Sequence, residues 1–497
     1  MQTTLSALSA AAAELNLLVA FVPDAASPDA RLAGLAADTA DAVSRELARG
    51  RVRAGKGDTA VVTGGTSGPQ RVLLVGIGTE LDGRSEAVRV AGGVAARTAR
   101  AARATTAGVL VPAGEDASHF VEGFLLGAYK FDRYKKTGGG DDDDTPVTEV
   151  PLSSVEFLVE DESDIPNLTD AIARTESVNF ARDLANSPPN YLTPALLADA
   201  AVELASQYPH LSCTVLDQAA IDREGLGMLS AVGQGSGNES RLIVLEWNPP
   251  ADSGTSDADR IAFVGKAVTF DTGGISIKPS AGIHEMTLDK SGGCAVIGPM
   301  RAIAATNVPR RVLAVVGSAE NMPDGRAYKP GDVLTAYDGT TVEVTNTDAE
   351  GRLVLGDAIS WARKLGCSGI VEMSTLTGAM VVSLGHFYTG CIAQSGPLTD
   401  AVLASAGRSG DHAWHLPMHD AYKANLKSDC ADMVNSGGRA GGALYAGLFL
   451  KHFAKDTPFV HLDIAGTGML PKPQGPFSVT GSSGWGVRLL TDLAATR

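Results

Sequence analysis

Apolar runs of strand length alternate with stretches of helical spacing twice along this 497-residue chain, and that alternation leaves it few folds. In the first block, "LNLLVAFVP" (15–23), "RVLLVGIG" (71–78) and "AGVLVP" (107–112) read as strands. Between them, "RLAGLAADTADAVSRELARG" (31–50) and "RSEAVRVAGGVAARTARAARA" (84–104) carry helical spacing, the second with an arginine-rich face. Such alternation implies an α/β layer with parallel strands. The second block repeats it with "HLSCTVLD", "RLIVLEW", "RIAFVGKAV", "RRVLAVVGSAE", "SGIVEMSTL" and "FVHLDIAG". It reads as a mixed sheet with helices on both faces, and ligands in such sheets bind outside the carboxyl ends of the strands.

Residues 165–187 read as a linking helix that Pro188 and Pro189 end. The expected organisation is therefore an N-terminal α/β domain over 1–164, a linking helix over 165–187, and a larger domain over 188–497. Three glycines and four aspartates make an exposed acidic loop of 136–147. Its consecutive aspartates lack the spaced ligands of a calcium loop.

The totals narrow the class of function. With 41 Lys and Arg against 57 Asp and Glu, the net charge is −16, which argues against duplex DNA as a main partner. Five scattered cysteines, none in CxxC spacing, suggest a reducing compartment and no zinc knuckle. The N-terminus lacks a basic segment and Glu14 interrupts its apolar stretch, so no secretory signal is expected. No run is long enough for a membrane helix. The expected location is the cytoplasm. Three glycine-rich stretches fail as nucleotide sites. "GRVRAGKG" (50–57) has Gly57 where a phosphate loop needs Ser or Thr, "GIGTEL" (76–81) ends on Leu81, and "GQGSGN" (233–238) reads as a turn.

Two polar constellations carry the chemistry. In "AFVGKAVTFDTGGISIKPSAGIHEMTLDKSGG" (262–293), Lys266, Asp271, Lys278 and Asp289 recur in apolar, glycine-rich chain. Lys266 follows "IAFVG", where a strand end would draw it inside, and an unpaired buried lysine is costly. It must meet carboxylates or lose its proton, and a neutral lysine can ligate a metal. In "TVEVTNTDAEGRLVLGDA" (341–358), Asp348, Glu350 and Arg352 fall at every second position. They would form one row if that turn stays extended. Four acids brought together repel unless some take up protons. A pair of bridged divalent cations removes that difficulty.

At these residues the chain resembles the leucyl aminopeptidase (cytosol aminopeptidase) family. "NTDAEGRL" (346–353) and "VGKAVTFDTGGISIKP" (264–279) match its signatures. So do "ENMPDGRAYKPGDVL" (320–334), "STLTGAM" (374–380), "AWHLPM" (413–418), "ADMVNSGGRAGGAL" (431–444) and "HLDIAGTG" (461–468). The resemblance implies that Lys266, Asp271, Asp289, Asp348 and Glu350 ligate two metals, with Asp271 and Glu350 bridging. Lys278 and Arg352 fall on the catalytic positions. Ala349, Gly351, Arg352 and Leu376 fall on bicarbonate-binding positions, and Met286, Thr375, Thr377 and Gly378 on the side-chain pocket or its rim. The resemblance further implies a metal-bridging water attacking the peptide carbonyl, with the free α-amine on one metal. Lys278 would stabilise the oxyanion. Leucine and other apolar N-terminal residues would be preferred. Manganese or zinc is expected, with magnesium or cobalt also compatible with a site free of Cys and His. A homohexamer acting on peptides with a free N-terminus is implied.

Departures from the family occur at "MTLDKSGGCA" (286–295), where Thr287 replaces a basic residue and Lys290 a methionine. Strand-like alternation points Lys290 away from Asp289, so it is expected outward. Glu372 stands where a different acid or polar group is frequent. Two other readings compete: a DNA-binding regulator using the arginine face of 84–104, and a dinuclear hydrolase of a non-peptide substrate such as a phosphate ester.

Overall fold

The computed structural model describes residues 1–7, 15–22, 37–50, 52, 57–64, 69–77, 83–112, 114, 116–136, 152–251 and 259–496. The acidic stretch from 137 onward, most of the phosphate-loop-like segment, and residues 31–36 of the first expected helix lie outside them. The chain forms two compact units, Met1–Glu176 with Pro473–Val479, and Ser177–Lys472 with Thr480–Arg497. The division falls inside one helix, Ile165–Asn186.

The first unit is built on β1 (Gln2–Ala7), β2 (Leu17–Val22), β3 (Thr59–Thr63), β4 (Arg71–Gly76), β5 (Thr106–Leu110) and β6 (Ser154–Val159). Their order is β1-β6-β5-β2-β4-β3, parallel throughout except for β3 against β4. Every residue of central β2 is buried, which gives it the unbroken apolar run of a two-sided core strand. The edge strands β1 and β3 were not legible, since their burial is partial and their residues mixed. The helix Arg84–Ala101 does not present all its arginines to solvent. Arg89 is buried, 2.6 Å from Glu122 and 2.9 Å from Glu86.

Beside a short strand pair, Met469–Leu470 with Gly481–Ser482, the second unit holds an eight-stranded sheet and a small three-stranded one. In chain order the strands are β7 (Leu211–Leu216), β8 (Arg241–Trp247), β9 (Arg260–Asp271), β10 (Arg311–Asn321), β11 (Val333–Thr335), β12 (Thr341–Glu343), β13 (Gly369–Ser374), β14 (Thr389–Ala393), β15 (Ala413–Pro417), β16 (Met433–Val434) and β17 (Phe459–Asp463). The large sheet runs β15-β14-β17-β13-β9-β10-β8-β7, and β11-β12-β16 form the small one. Its centre, β17-β13-β9-β10, is parallel, while β14 and β8 turn antiparallel against that core. Both units are α/β, and the mixed sheet of the larger one agrees with the sequence pattern.

Two helices bracket the centre. Ser291–Ala305 lies so close on β9 that a Cβ at Gly265 would sit 2.7 Å from the Gly293 backbone. Glu350–Leu365 carries its own anchor, the wholly buried Asp357. One carboxylate oxygen of Asp357 accepts the Met228 and Leu229 N–H groups at 2.9 Å, and the other accepts Tyr337 N–H at 2.8 Å. Among the described residues, no helix is long and apolar enough to cross a membrane. Because three N–H groups converge on two acceptor oxygens, Asp357→Asn would turn an NH2 toward a donor. Loss of that pairing should cost about 1–3 kcal/mol, read as a lower midpoint in chemical denaturation without loss of secondary structure.

Candidate metal centre

The acids and lysines of the two constellations meet at the carboxyl ends of β9, β10, β13 and β17. β9 runs five residues past Lys266, so this lysine sits within the strand, not at its end, and Asp271 closes the strand. After β9 the chain turns through Gly273 and Gly274, both at positive φ, and returns Lys278 to the same place. Asp289 precedes the helix Ser291–Ala305, and Asp348 and Glu350 lie at the start of the helix Glu350–Leu365. The turn at 347–349 is a tight 3-10 turn, so the extended row expected of Asp348, Glu350 and Arg352 does not form. Helical winding sends the Arg352 side chain elsewhere, to donate to the Asn435 carbonyl at 2.7 Å.

Asp271, Asp348 and Glu350 each present an oxygen within 4.8 Å of the others. Lys266 Nζ joins this triad to Asp289, lying 2.7 Å from Asp289 Oδ2 and 2.8 Å from Glu350 Oε1. Lys278 Nζ lies 2.8 Å from Asp271 Oδ2 and contacts Asp348. Lys266, Asp271, Asp289 and Glu350 are all buried, whereas Lys278 and Asp348 are partly exposed.

Charge in this space is under tension. Burial opposes the Lys266 ammonium, but Asp289, Glu350 and Asp271 outweigh it and hold its pKa above the ordinary lysine value. Lys278 is raised in the same way, chiefly by Asp271 against its burial. Burial pushes Asp289 up to about 7 and Asp271 up to about 6. Glu350 is held low despite its burial, by Lys266 and then Lys278. Four carboxylates thus face two ammoniums. Buried Glu350 Oε2 has no hydrogen-bond partner, an arrangement that costs free energy without a cation. The donor set, carboxylates and amines without Cys or His, fits hard and borderline divalent metals.

Chain comparisons decide the family. The model of the cytosol aminopeptidase family catalytic domain matches residues 179–491, and that of the family's N-terminal domain matches 18–138. The chain belongs to the cytosol aminopeptidase family. It is similar to a probable cytosol aminopeptidase of Solibacter usitatus, 44% identical over 85% of this chain and 86% of the relative. One from Cenarchaeum symbiosum is 38% identical over 99% and 98%. A solved structure of the bottromycin maturation enzyme BotP in complex with Mn superposes with a TM-score of 0.84 at 32% identity, covering 97% of this chain and 99% of that one. This cytosol aminopeptidase family member is accordingly a metal-dependent aminopeptidase.

The remaining expected residues fall around the centre. Thr375 Oγ1 donates to Asp289 Oδ1 at 2.8 Å. Thr377 Oγ1 donates to Asp463 at 2.7 Å and caps the helix Gly378–Leu384. Gly378 faces open space and Met286 is half-buried. Of the bicarbonate positions, Ala349 is buried beside Glu350, and the Leu376 N–H donates to Asp463 Oδ1 at 3.2 Å. Arg352 keeps a buried Nε without a partner. Lys290 is not outward. It precedes the helix Ser291–Ala305 instead of continuing a strand, so alternation does not apply, and it is wholly buried with its amine on the Thr287 carbonyl and hydroxyl. Burial draws its pKa down to about 8. Glu372 is equally buried and pairs with His461 across β13 and β17. The sequence reading missed Asn321, Tyr328, Thr347, Asn435 and Asp463, although each lies inside a stretch it had matched.

Gly351 explains itself by packing. A Cβ there would lie 2.6 Å from Lys266 Cε and 2.7 Å from Nζ. Gly351→Ala should displace the Lys266 amine while slightly favouring the helix. Peptidase activity is expected to fall about 100-fold, the scale of a small misplacement, with little change in melting temperature.

Proposed function

We propose that this enzyme releases N-terminal amino acids from peptides, preferring leucine and other apolar residues, with two divalent cations held by Asp271, Asp289, Asp348 and Glu350 and by Lys266, whose ammonium would give up its proton when a cation binds. The observation that carries this reading is the convergence of one oxygen each from Asp271, Asp348 and Glu350 within 4.8 Å of one another, with Glu350 Oε2 buried and unpartnered and two lysines alongside. Asp271 and Glu350 would bridge. Manganese or zinc is the expected pair, with magnesium and cobalt compatible. When bound, the cations supply an acidified water and a polarised carbonyl. Asp289, joined to Lys266 and Thr375, orients the substrate's free α-amine. Lys278 brings its ammonium to the negative charge that develops on the carbonyl oxygen. Arg352, with a free Nε, orients a planar anion such as bicarbonate that moves the proton to the leaving amine. Ala349, Gly351 and Leu376 frame that anion, and Met286, Thr375, Thr377 and Gly378 frame the side-chain pocket. An apolar pocket discriminates a methylene by only about 1–3 kcal/mol, so the specificity is broad.

In this reading residues 188–497 are the catalytic domain, 1–164 the N-terminal domain, and 165–187 their link. The enzyme is cytoplasmic and hexameric. Exposed Phe387, Tyr388 and Trp414, in ring contact one after another, form the kind of apolar surface that subunit packing covers.

Release of leucine from a leucyl peptide should vanish when metal is stripped and return on refilling with manganese or zinc. The N-acetylated peptide should not be cleaved, because it offers no free amine. Lys278→Ala should lower kcat by about 10²–10³. Full activity without metal, or equal cleavage of the acetylated peptide, would refute the reading.

A further inference from the structure

We propose that Asn321 and Thr347 are positioning residues that lock the two carboxylate loops, 271–276 and 346–350, into one metal-binding unit. The inference rests on the metal reading above, but neither residue is one of the ligands that reading names.

Asn321 ends β10 opposite Asp271, the last residue of β9, and the pairing slips between Ala319 and Asn321. Such a bulge re-aims a side chain at the end of a strand. The wholly buried amide of Asn321 then bridges the loops. Its Nδ2 donates to Asp271 Oδ1 at 2.8 Å and to the Thr347 carbonyl at 3.1 Å. The Asn321 main-chain carbonyl accepts Thr272 N–H at 3.0 Å and the Thr272 hydroxyl at 2.8 Å. Asp271 Oδ1 also accepts Gly273 N–H at 2.9 Å. With Oδ1 held from two sides, the carboxylate cannot rotate, and Oδ2 is left facing Lys278.

Thr347 makes the reciprocal link. Its hydroxyl donates to the Gly273 carbonyl at 2.6 Å and accepts Ser276 N–H at 2.8 Å. Its N–H donates to Ser276 Oγ at 3.1 Å. Tyr328 OH holds the Thr347 carbonyl from outside the loops at 2.8 Å. The loops are also packed without slack. A Cβ at Gly274 would lie 2.8 Å from Asn321 Oδ1 and 3.0 Å from Thr347 Oγ1. Each hydrogen bond therefore fixes the distance between Asp271 and the Asp348–Glu350 pair, the quantity on which shared cation binding depends.

The test uses the full-length protein, stripped with a chelator and titrated calorimetrically with Mn2+ alone. Asn321→Leu keeps the branching and removes both donors, and Thr347→Val keeps the shape and removes the hydroxyl. Each should weaken Mn2+ binding by about 10–100-fold, the usual effect of losing a partner that orients a ligand. The rise in melting temperature on adding Mn2+ should shrink in step. Thr347→Ser, which retains the hydroxyl, should bind close to wild type. If Asn321→Leu fails to fold, Thr347→Val decides. Wild-type affinity in a folded variant whose metal-free melting temperature has fallen would reduce these residues to scaffold and overturn the proposal. A wild-type protein that takes up no Mn2+ would instead overturn the metal reading itself.

Discussion

The buried ammonium of Lys266 is the interaction on which the centre depends. A charged lysine inside a sheet is tolerable only with close, well-aligned carboxylates, and removing one partner of such a pair typically costs about 3–5 kcal/mol. Asp289 and Glu350 meet that requirement from two different helix starts. The fold must therefore bring both helices to the middle of β9. The glycines at 265, 293 and 351 are the means, since each removes a side chain from the path of another segment or of the lysine itself. A single buried charge thus sets the spacing of two helices against one strand.

Around that lysine the architecture concentrates negative charge where parallel strands end. Asp271 and Asn321 are register partners on β9 and β10, and Ser374 and Asp463 are partners on β13 and β17. Asp463 does for the 375–378 segment what Asn321 does for the acid loops. It accepts Leu376 and Thr377 N–H groups and the Thr377 hydroxyl, and so holds the segment that carries Thr375 to Asp289. Chemistry on rigid strand ends, fixed by buried polar groups, is placed more precisely than chemistry on free loops.

The fold class and both constellations were legible because they rest on local signals. Apolar runs mark the central strands, and Asp271, Asp289, Asp348 and Glu350 stand out as acids among apolar and glycine neighbours. What escaped rests on tertiary contact. Asn321 is an amide at a strand end, ordinary in sequence, and only the bulge beside it turns it onto Asp271. A row running from the acids to Arg352 needs an extended turn at 347–349. The 3-10 winding that replaced it is favoured by the Asn346 side chain, which accepts Asp348 N–H at 2.9 Å. The edge strands β1 and β3 lacked the apolar run that burial on two faces produces.

Lys290 shows how much departure the site absorbs. It stands just before a helix N-terminus, where the backbone dipole disfavours positive charge, and beside an acid assigned to metal. A second ammonium there would oppose any cation at Asp289. Complete burial draws the Lys290 pKa down to about 8, which eases proton loss without making the amine neutral at pH 7, and the Thr287 carbonyl and hydroxyl accept from it. Thr287 supplies both of the acceptors that the Lys290 amine contacts, so the two residues act together. Lys290 thus stands at this turn as an amine that gives up its proton more readily than an ordinary lysine.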